Sequence, residues 1–164
     1  METRTIIEIG AVVAIIACIA GLTTGGCKTA QTYKTPSPLP NYAEMSDQDL
    51  RERAVAENHD AEYELGRRAY VHRNAEAAQW FCRAADAGHP NARYMVGLLY
   101  EPGQAVGVTN PSYSRAYMWL SLAAAGGAVD ALREKERLFD LLTPEQIAEA
   151  RRLITNWKPG SCGV

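Results

Sequence analysis

Residues 77–88 read Ala-Ala-Gln-Trp-Phe-Cys-Arg-Ala-Ala-Asp-Ala-Gly, and residues 116–127 read Ala-Tyr-Met-Trp-Leu-Ser-Leu-Ala-Ala-Ala-Gly-Gly. Laid over one another, Trp80 falls on Trp119, Gly88 on Gly127, and Ala77, Ala84 and Ala85 on Ala116, Ala123 and Ala124, all 39 positions apart (119 − 80). Alanine matches carry little in an Ala-rich chain. A tryptophan followed at the same distance by a glycine in both copies carries much more. In each copy the apolar residues recur at i, i+3, i+4, i+7 and i+8: Ala77, Trp80, Phe81, Ala84, Ala85, and Ala116, Trp119, Leu120, Ala123, Ala124. That spacing predicts a helix with a wide apolar face. Gly88 and Gly127 then stand where a left-handed residue ends the helix.

A second pair of blocks lies upstream. Ala61-Glu-Tyr-Glu-Leu-Gly66 matches Ala92-Arg-Tyr-Met-Val-Gly97, here with an offset of 31 (92 − 61). The difference of eight between the offsets (39 − 31) sits in the connector, where the second copy holds a Gly- and Pro-rich stretch over 101–112. Such composition belongs in a loop. Each unit is therefore two helices with a variable connector. Glycine inside a helix costs about 1 kcal/mol against alanine, so Gly66 and Gly97 point to places where two backbones crowd together.

Ala-x-x-x-Leu-Gly, then Gly107-Val108 in a loop, then Ala-x-x-Trp-x-x-x-Ala-Ala-x-x-Gly resembles the Sel-1-like repeat family, relatives of tetratricopeptide repeats. The first unit lacks the Gly-Val loop, and the loop aspartate usual in the family is replaced by Asn110 or Ser112. The resemblance covers about residues 46–158 and implies an all-α fold: a short right-handed α-solenoid of helix-turn-helix repeats, with degenerate capping helices. We expect seven helices and no sheet. The expected divisions are an N-terminal capping helix at 46–60, repeat 1 at 61–91, repeat 2 at 92–130, a degenerate repeat and C-terminal cap at 131–158, and a tail at 159–164. Ser46-Asp-Gln-Asp49 reads as a helix start with Leu50, Ala54 and Val55 as its apolar face. Ala131-Leu132 begins a third first-helix, but Lys135-Glu136 replace the Leu-Gly pair. Thr143-Pro-Glu-Gln146 starts the last helix with Thr as N-cap and Pro at N1, and Ile147, Ala150, Ile154 and Trp157 form its stripe.

The N-terminus reads as an export signal. Ile9–Leu22 is uncharged and apolar, and as a helix it would span about 21 Å at roughly 1.5 Å per residue. That is short for a bilayer core of about 30 Å and suits a signal peptide. Thr23-Thr-Gly-Gly26 then precedes Cys27, which resembles the lipobox of bacterial lipoproteins, with Thr24 where leucine is usual. The resemblance implies a cleaved signal at 1–26 and lipid on Cys27. Cys18 would leave too short an apolar run. An uncleaved anchor or an ordinary secretory signal is the alternative. Residues 27–45, with Pro36, Pro38 and Pro40, read as an extended tether.

Formal net charge is −2, which supplies no basic field for nucleic acid. The cysteines at 18, 27, 82 and 162 form no Cys-x-x-Cys pair, so neither a zinc site nor another metal or cofactor is expected. Cys82 reads as a buried free thiol, with a Cys82–Cys162 bridge as the alternative in an oxidising compartment. His59, His72 and His89 fall at helix ends or turns and read as solvated. Glu62 and Glu64 with Arg67 and Arg68 read as a solvated, ion-paired face. Ser112 reads as a helix cap and Ser114 as a loop residue, not as nucleophiles. No catalytic set emerges, so the chain is read as no enzyme.

The family works mainly as protein–protein interaction scaffolds. Its first helices line a curved surface, which here implies contact positions at Tyr63, Arg67, Arg93, Tyr94 and Leu98, packing being the competing role for the tyrosines. The loop at 101–112 is a second candidate surface. The reading is a protein-binding scaffold tethered to a membrane of the bacterial envelope, facing the periplasm or exterior. The alternatives are an envelope enzyme or cell-wall accessory factor binding peptidoglycan or a small ligand, and a structural lipoprotein without a specific client.

Overall fold

Four of the helices begin where a side chain takes over a backbone N–H that the helix leaves unpaired. Ser46 Oγ accepts from the Asp49 N–H at 3.1 Å, Asn58 Oδ1 from Ala61 at 2.9 Å, and His89 Nδ1 from Ala92 at 3.1 Å. Thr143 Oγ1 accepts from the Gln146 N–H while Gln146 Oε1 accepts from the Thr143 N–H, a complete capping box. The computed structural model describes residues 40–103, 107–108 and 110–162. They form a 3₁₀ turn at Tyr42–Glu44 and the helices α1 (Asp47–Val55), α2 (His59–Val71), α3 (Glu76–Asp86), α4 (Pro90–Tyr100), α5 (Tyr113–Ala125), α6 (Ala131–Phe139) and α7 (Pro144–Asn156). There is no strand among the described residues. The signal at 1–26, Cys27 and residues 28–39 of the tether lie outside them.

Each helix from α1 to α5 packs on the next, and α7 returns to α5. This is a helical repeat solenoid. The repeat pairs are α2–α3 and α4–α5, with α1 and α7 against their outer ends. Gly88 at φ 102° and Gly127 at φ 91° follow α3 and α5 in the left-handed conformation expected of them.

The two helix glycines mark the close approaches. A Cβ on Gly66 would lie 2.6 Å from the Phe81 ring, and one on Gly97 would lie 2.9 Å from Leu120 Cγ. Phe81 and Leu120 are themselves equivalent in the 39-residue register, so both repeats use one contact. Around it lies the main core, with Phe81, Val96, Leu99, Tyr100, Trp119, Leu120 and Leu138 buried. Buried Ala77, Ala78, Ala84, Ala85, Ala92 and Ala116 let the helices close on these larger side chains. Full burial of each large apolar side chain is worth about 1.5–3 kcal/mol.

Several expectations are corrected. Residues 42–45, expected as part of an extended tether, are packed instead: Tyr42 and Met45 lie on Leu50, Ala54, Ala61 and Leu65, and Arg68 binds the carbonyls of Tyr42, Ala43 and Met45. Val55 is 83% exposed, so α1 buries only Leu50 and Ala54. Ser112 holds the N-cap position of α5 without a capping hydrogen bond. Ser114 is no loop residue. It is buried in the first turn of α5 and donates to the Gln146 carbonyl, joining α5 to α7. Cys82 is bridged to Cys162 and is not a free thiol. The segment after α7 is docked as well. The Cys162 N–H donates to Asp86 Oδ2 at the end of α3, at 3.3 Å.

Candidate functional site

Glu62 and Glu64 do not form a solvated face. Glu62 is 2% exposed and Glu64 is 7% exposed. Buried carboxylates persist only when paired. Glu62 accepts from Arg83 at 2.9 Å and meets His59 Nδ1 at 3.0 Å. Glu64 meets Arg68 at 3.2 Å and Arg67 at 3.6 Å. Arg68 also pairs with Asp47, and these partners hold its guanidinium charge more firmly than usual.

This network frames a groove of about 350 Å³ between α1, α2 and α3. Asp47 and Arg51 come from α1, Leu65, Arg67 and Ala69 from α2, and Trp80 from α3. The Trp80 ring is half-buried, with the guanidinium carbons of Arg83 at 5.1 Å and Arg51 at 5.9 Å from its centre. Arg51 has no carboxylate partner among the described residues.

The five predicted contact residues are scattered. Arg67 is exposed and lines the groove. Tyr63 is half-buried, stacked on the His89 ring at 4.7 Å and tilted against Phe81 at 5.9 Å. Burial pushes its phenol pKa up. Arg93 turns to the docked tail: its Nε donates to the Ala85 carbonyl at 3.0 Å and its guanidinium lies 4.9 Å from the Trp157 ring centre. Tyr94 packs against both the main core and the small Ala123–Ala128–Ala131 cluster. Leu98 is half-buried. The loop at 101–112 is partly described: its Gly107 lies against Ala75 and Ala78, and Val108 packs on the core.

Of the histidines, His72 is exposed. His89 is not: its side chain is only 13% exposed. With Nδ1 accepting from Ala92, its proton sits on Nε2 and faces Asp60 at 3.2 Å. Burial pulls its pKa below the ordinary value, and Asp60 opposes that shift. Among the described residues no three His, Cys, Asp or Glu side chains converge as a metal site, and no helix there is long and apolar enough to cross a membrane. Sequence reading missed Arg51, Asp47 and Trp80 as groove residues. The signal for them was the missing Gly-Val loop of the first unit, which leaves uncovered the place that the second unit covers.

The Sel1 repeat model matches residues 59–89 and 90–127. No curated protein matches the chain. The matched segments coincide with α2–α3 and α4–α5, each closed by the turn that follows. Sel1 repeats are a type of protein-interaction scaffold. Residues 59–127 of this chain thus match two consecutive Sel1 repeats, flanked by helices outside the match.

Proposed function

We propose that the protein is a binding scaffold that holds a protein partner at a membrane of the bacterial cell envelope, tethered by lipid on Cys27. The observation that carries this is the pair of Sel1 repeats at 59–127, since such repeats generally mediate protein–protein contact. The Cys82–Cys162 bridge supports export, because disulfides persist in oxidising compartments and are rare in the cytosol. The Gly26-Cys27 step after an apolar run supports lipidation. Glu62, Glu64 and Arg68 of α2 are committed to holding α1, α3 and the 41–45 turn in place, which suits a rigid scaffold better than a catalyst.

Metabolic labelling with a lipid precursor tests the tether. Label on the wild type and none on Cys27→Ser is expected; equal label on both, or none on either, refutes it. Affinity capture from solubilised membranes tests the scaffold. Reproducible enrichment of one protein partner is expected, and a wild type that enriches none contradicts the reading.

A further inference from the structure

The segment after α7 is a strap gripped at its two ends. At the start, Trp157 meets Trp119 in a T-shaped contact with ring centres 6.1 Å apart, and the Arg93 guanidinium carbon lies 4.9 Å from the Trp157 ring centre. At the far end, Cys162 packs on the main core, is bonded to Cys82 of α3, and donates its N–H to Asp86 Oδ2 at 3.3 Å. Between the two grips Lys158, Pro159, Gly160 and Ser161 are exposed. Closure serves two polar groups badly. Asp86 Oδ1 and Trp157 Nε1 are buried and find no hydrogen-bond partner among the described residues. Burial pushes the Asp86 carboxyl pKa up, although the Cys162 N–H opposes the shift. A buried polar atom without a partner forfeits what water would give it. Holding the exposed stretch in one conformation also costs entropy residue by residue, and the contacts of one carboxylate return less than that. The covalent bridge is therefore what keeps the strap closed.

We infer that the Cys82–Cys162 bridge is a redox latch: a protein dithiol of the Cys-x-x-Cys class reduces it, and residues 157–162 then leave α3 and α5, uncovering Trp119 and the Asp86 carboxylate. The two sulfurs differ in access, since Cys82 is 5% exposed and Cys162 is half-buried at the end of the strap. A thiolate of the dithiol attacks Cys162 Sγ. The S–S bond breaks and its electron pair leaves on Cys82 Sγ, which takes up a proton. The second thiol of the reductant then attacks the mixed disulfide, and Cys162 departs as a thiolate and is protonated in turn. Two electrons and two protons pass to the bridge, and the reductant becomes a disulfide. With the strap gone, Asp86 and the Trp157 indole N–H regain water, and Trp119, 2% exposed beneath Trp157, becomes reachable. The repeats do not need the latch, because the Gly66–Phe81 and Gly97–Leu120 contacts join α2 to α3 and α4 to α5. In an oxidising compartment the latch is shut by default. The protein thus carries one surface that is covered while the bridge stands and open once it is reduced.

The test needs no partner, so it can fail while the scaffold reading stands. The probe is dithiothreitol, added without denaturant to the full chain in detergent micelles, and the readout is amide hydrogen exchange followed by mass spectrometry. Reduction is expected to speed exchange in residues 157–162 and in the last turn of α3 by about tenfold or more, while α2 and α4 keep their protection. Reoxidation with glutathione disulfide restores the slow exchange. Cys162→Ser is expected to show the fast exchange without reductant and no further response to it, which ties the effect to this bridge and not to Cys18 or Cys27. Three results overturn the inference: a bridge that dithiothreitol reduces only after the chain is denatured, a reduced strap that exchanges as slowly as the oxidised one, or loss of protection in α2 and α4 together with the strap. The last would make the bridge a staple of the whole fold and not a latch on one surface.

Discussion

Trp80 and Trp119 hold one position in two copies of the same repeat, and they live in different surroundings. Trp119 is buried under Trp157 at the heart of the main core. Trp80 is half-buried between two guanidiniums at the rim of a groove. The helices that carry them end alike, and each repeat has the same glycine contact beneath. What differs is supplied from outside the repeated blocks: the 101–112 connector and the segment after α7 complete the second repeat, and among the described residues nothing corresponding completes the first. A repeat thus fixes the helices, and its neighbours decide whether the space between them is core or surface.

The comparison predicts unequal costs. Trp119→Ala should destabilise the protein by about 3–5 kcal/mol, the usual range for truncating a core aromatic, and Trp80→Ala by about half that, measured by chemical denaturation under oxidising conditions. Equal losses would mean that the second repeat is no more closed than the first. Next is the staple. Cys162→Ser opens a loop spanning 80 residues and should cost about 2–4 kcal/mol, with the second repeat's groove gaining exposure. An unchanged midpoint would show that the tail docks without help from the bridge.

Smaller effects probe the shared parts. Gly66→Ala and Gly97→Ala should each cost about 1–3 kcal/mol through overpacking. Gly66→Ala is expected to cost more, because a rigid Phe81 ring faces it where the flexible Leu120 faces Gly97. Thr143→Ala removes the capping box of α7 and should cost about 1 kcal/mol. The smallest effect is the pH response of His89. Burial penalises its imidazolium and holds its pKa below the ordinary histidine value, with Asp60 opposing. The unfolded chain therefore binds that proton more readily than the folded one. The contribution is present above the unfolded pKa and is lost as pH falls through the lower folded value. His89→Gln should flatten this decline in thermal unfolding on the acid side of neutrality; an unaltered slope would assign it to other groups.

Periodicity and self-comparison made the frame legible. The helix count, the glycine stops, the Thr143 cap and the crowding at Gly66 and Gly97 all follow from local pattern and from a two-fold internal match. What was not legible depends on distant pairing. Glu62 and Glu64 look like a surface stripe because nothing local shows that Arg83 and Arg68 will bury them as partners. His89 looks solvated because its stacking on Tyr63 and its bond to Asp60 reach from the start of α4 back to α2, 26 (89 − 63) and 29 (89 − 60) positions earlier in the chain. Val55 fits an apolar face by spacing, but α1 buries only Leu50 and Ala54, against α2, the 41–45 turn and Trp80. The groove itself was visible only as an absence, the Gly-Val loop that the first unit lacks.

The difference between the repeats can be measured directly by limited oxidation of the intact, disulfide-bonded chain with N-bromosuccinimide, each tryptophan being followed by peptide mass spectrometry. The account predicts that Trp80 is oxidised well before Trp119, and that Trp119 becomes reactive in Cys162→Ser. Oxidation of Trp80 and Trp119 at one rate in the intact chain would contradict it.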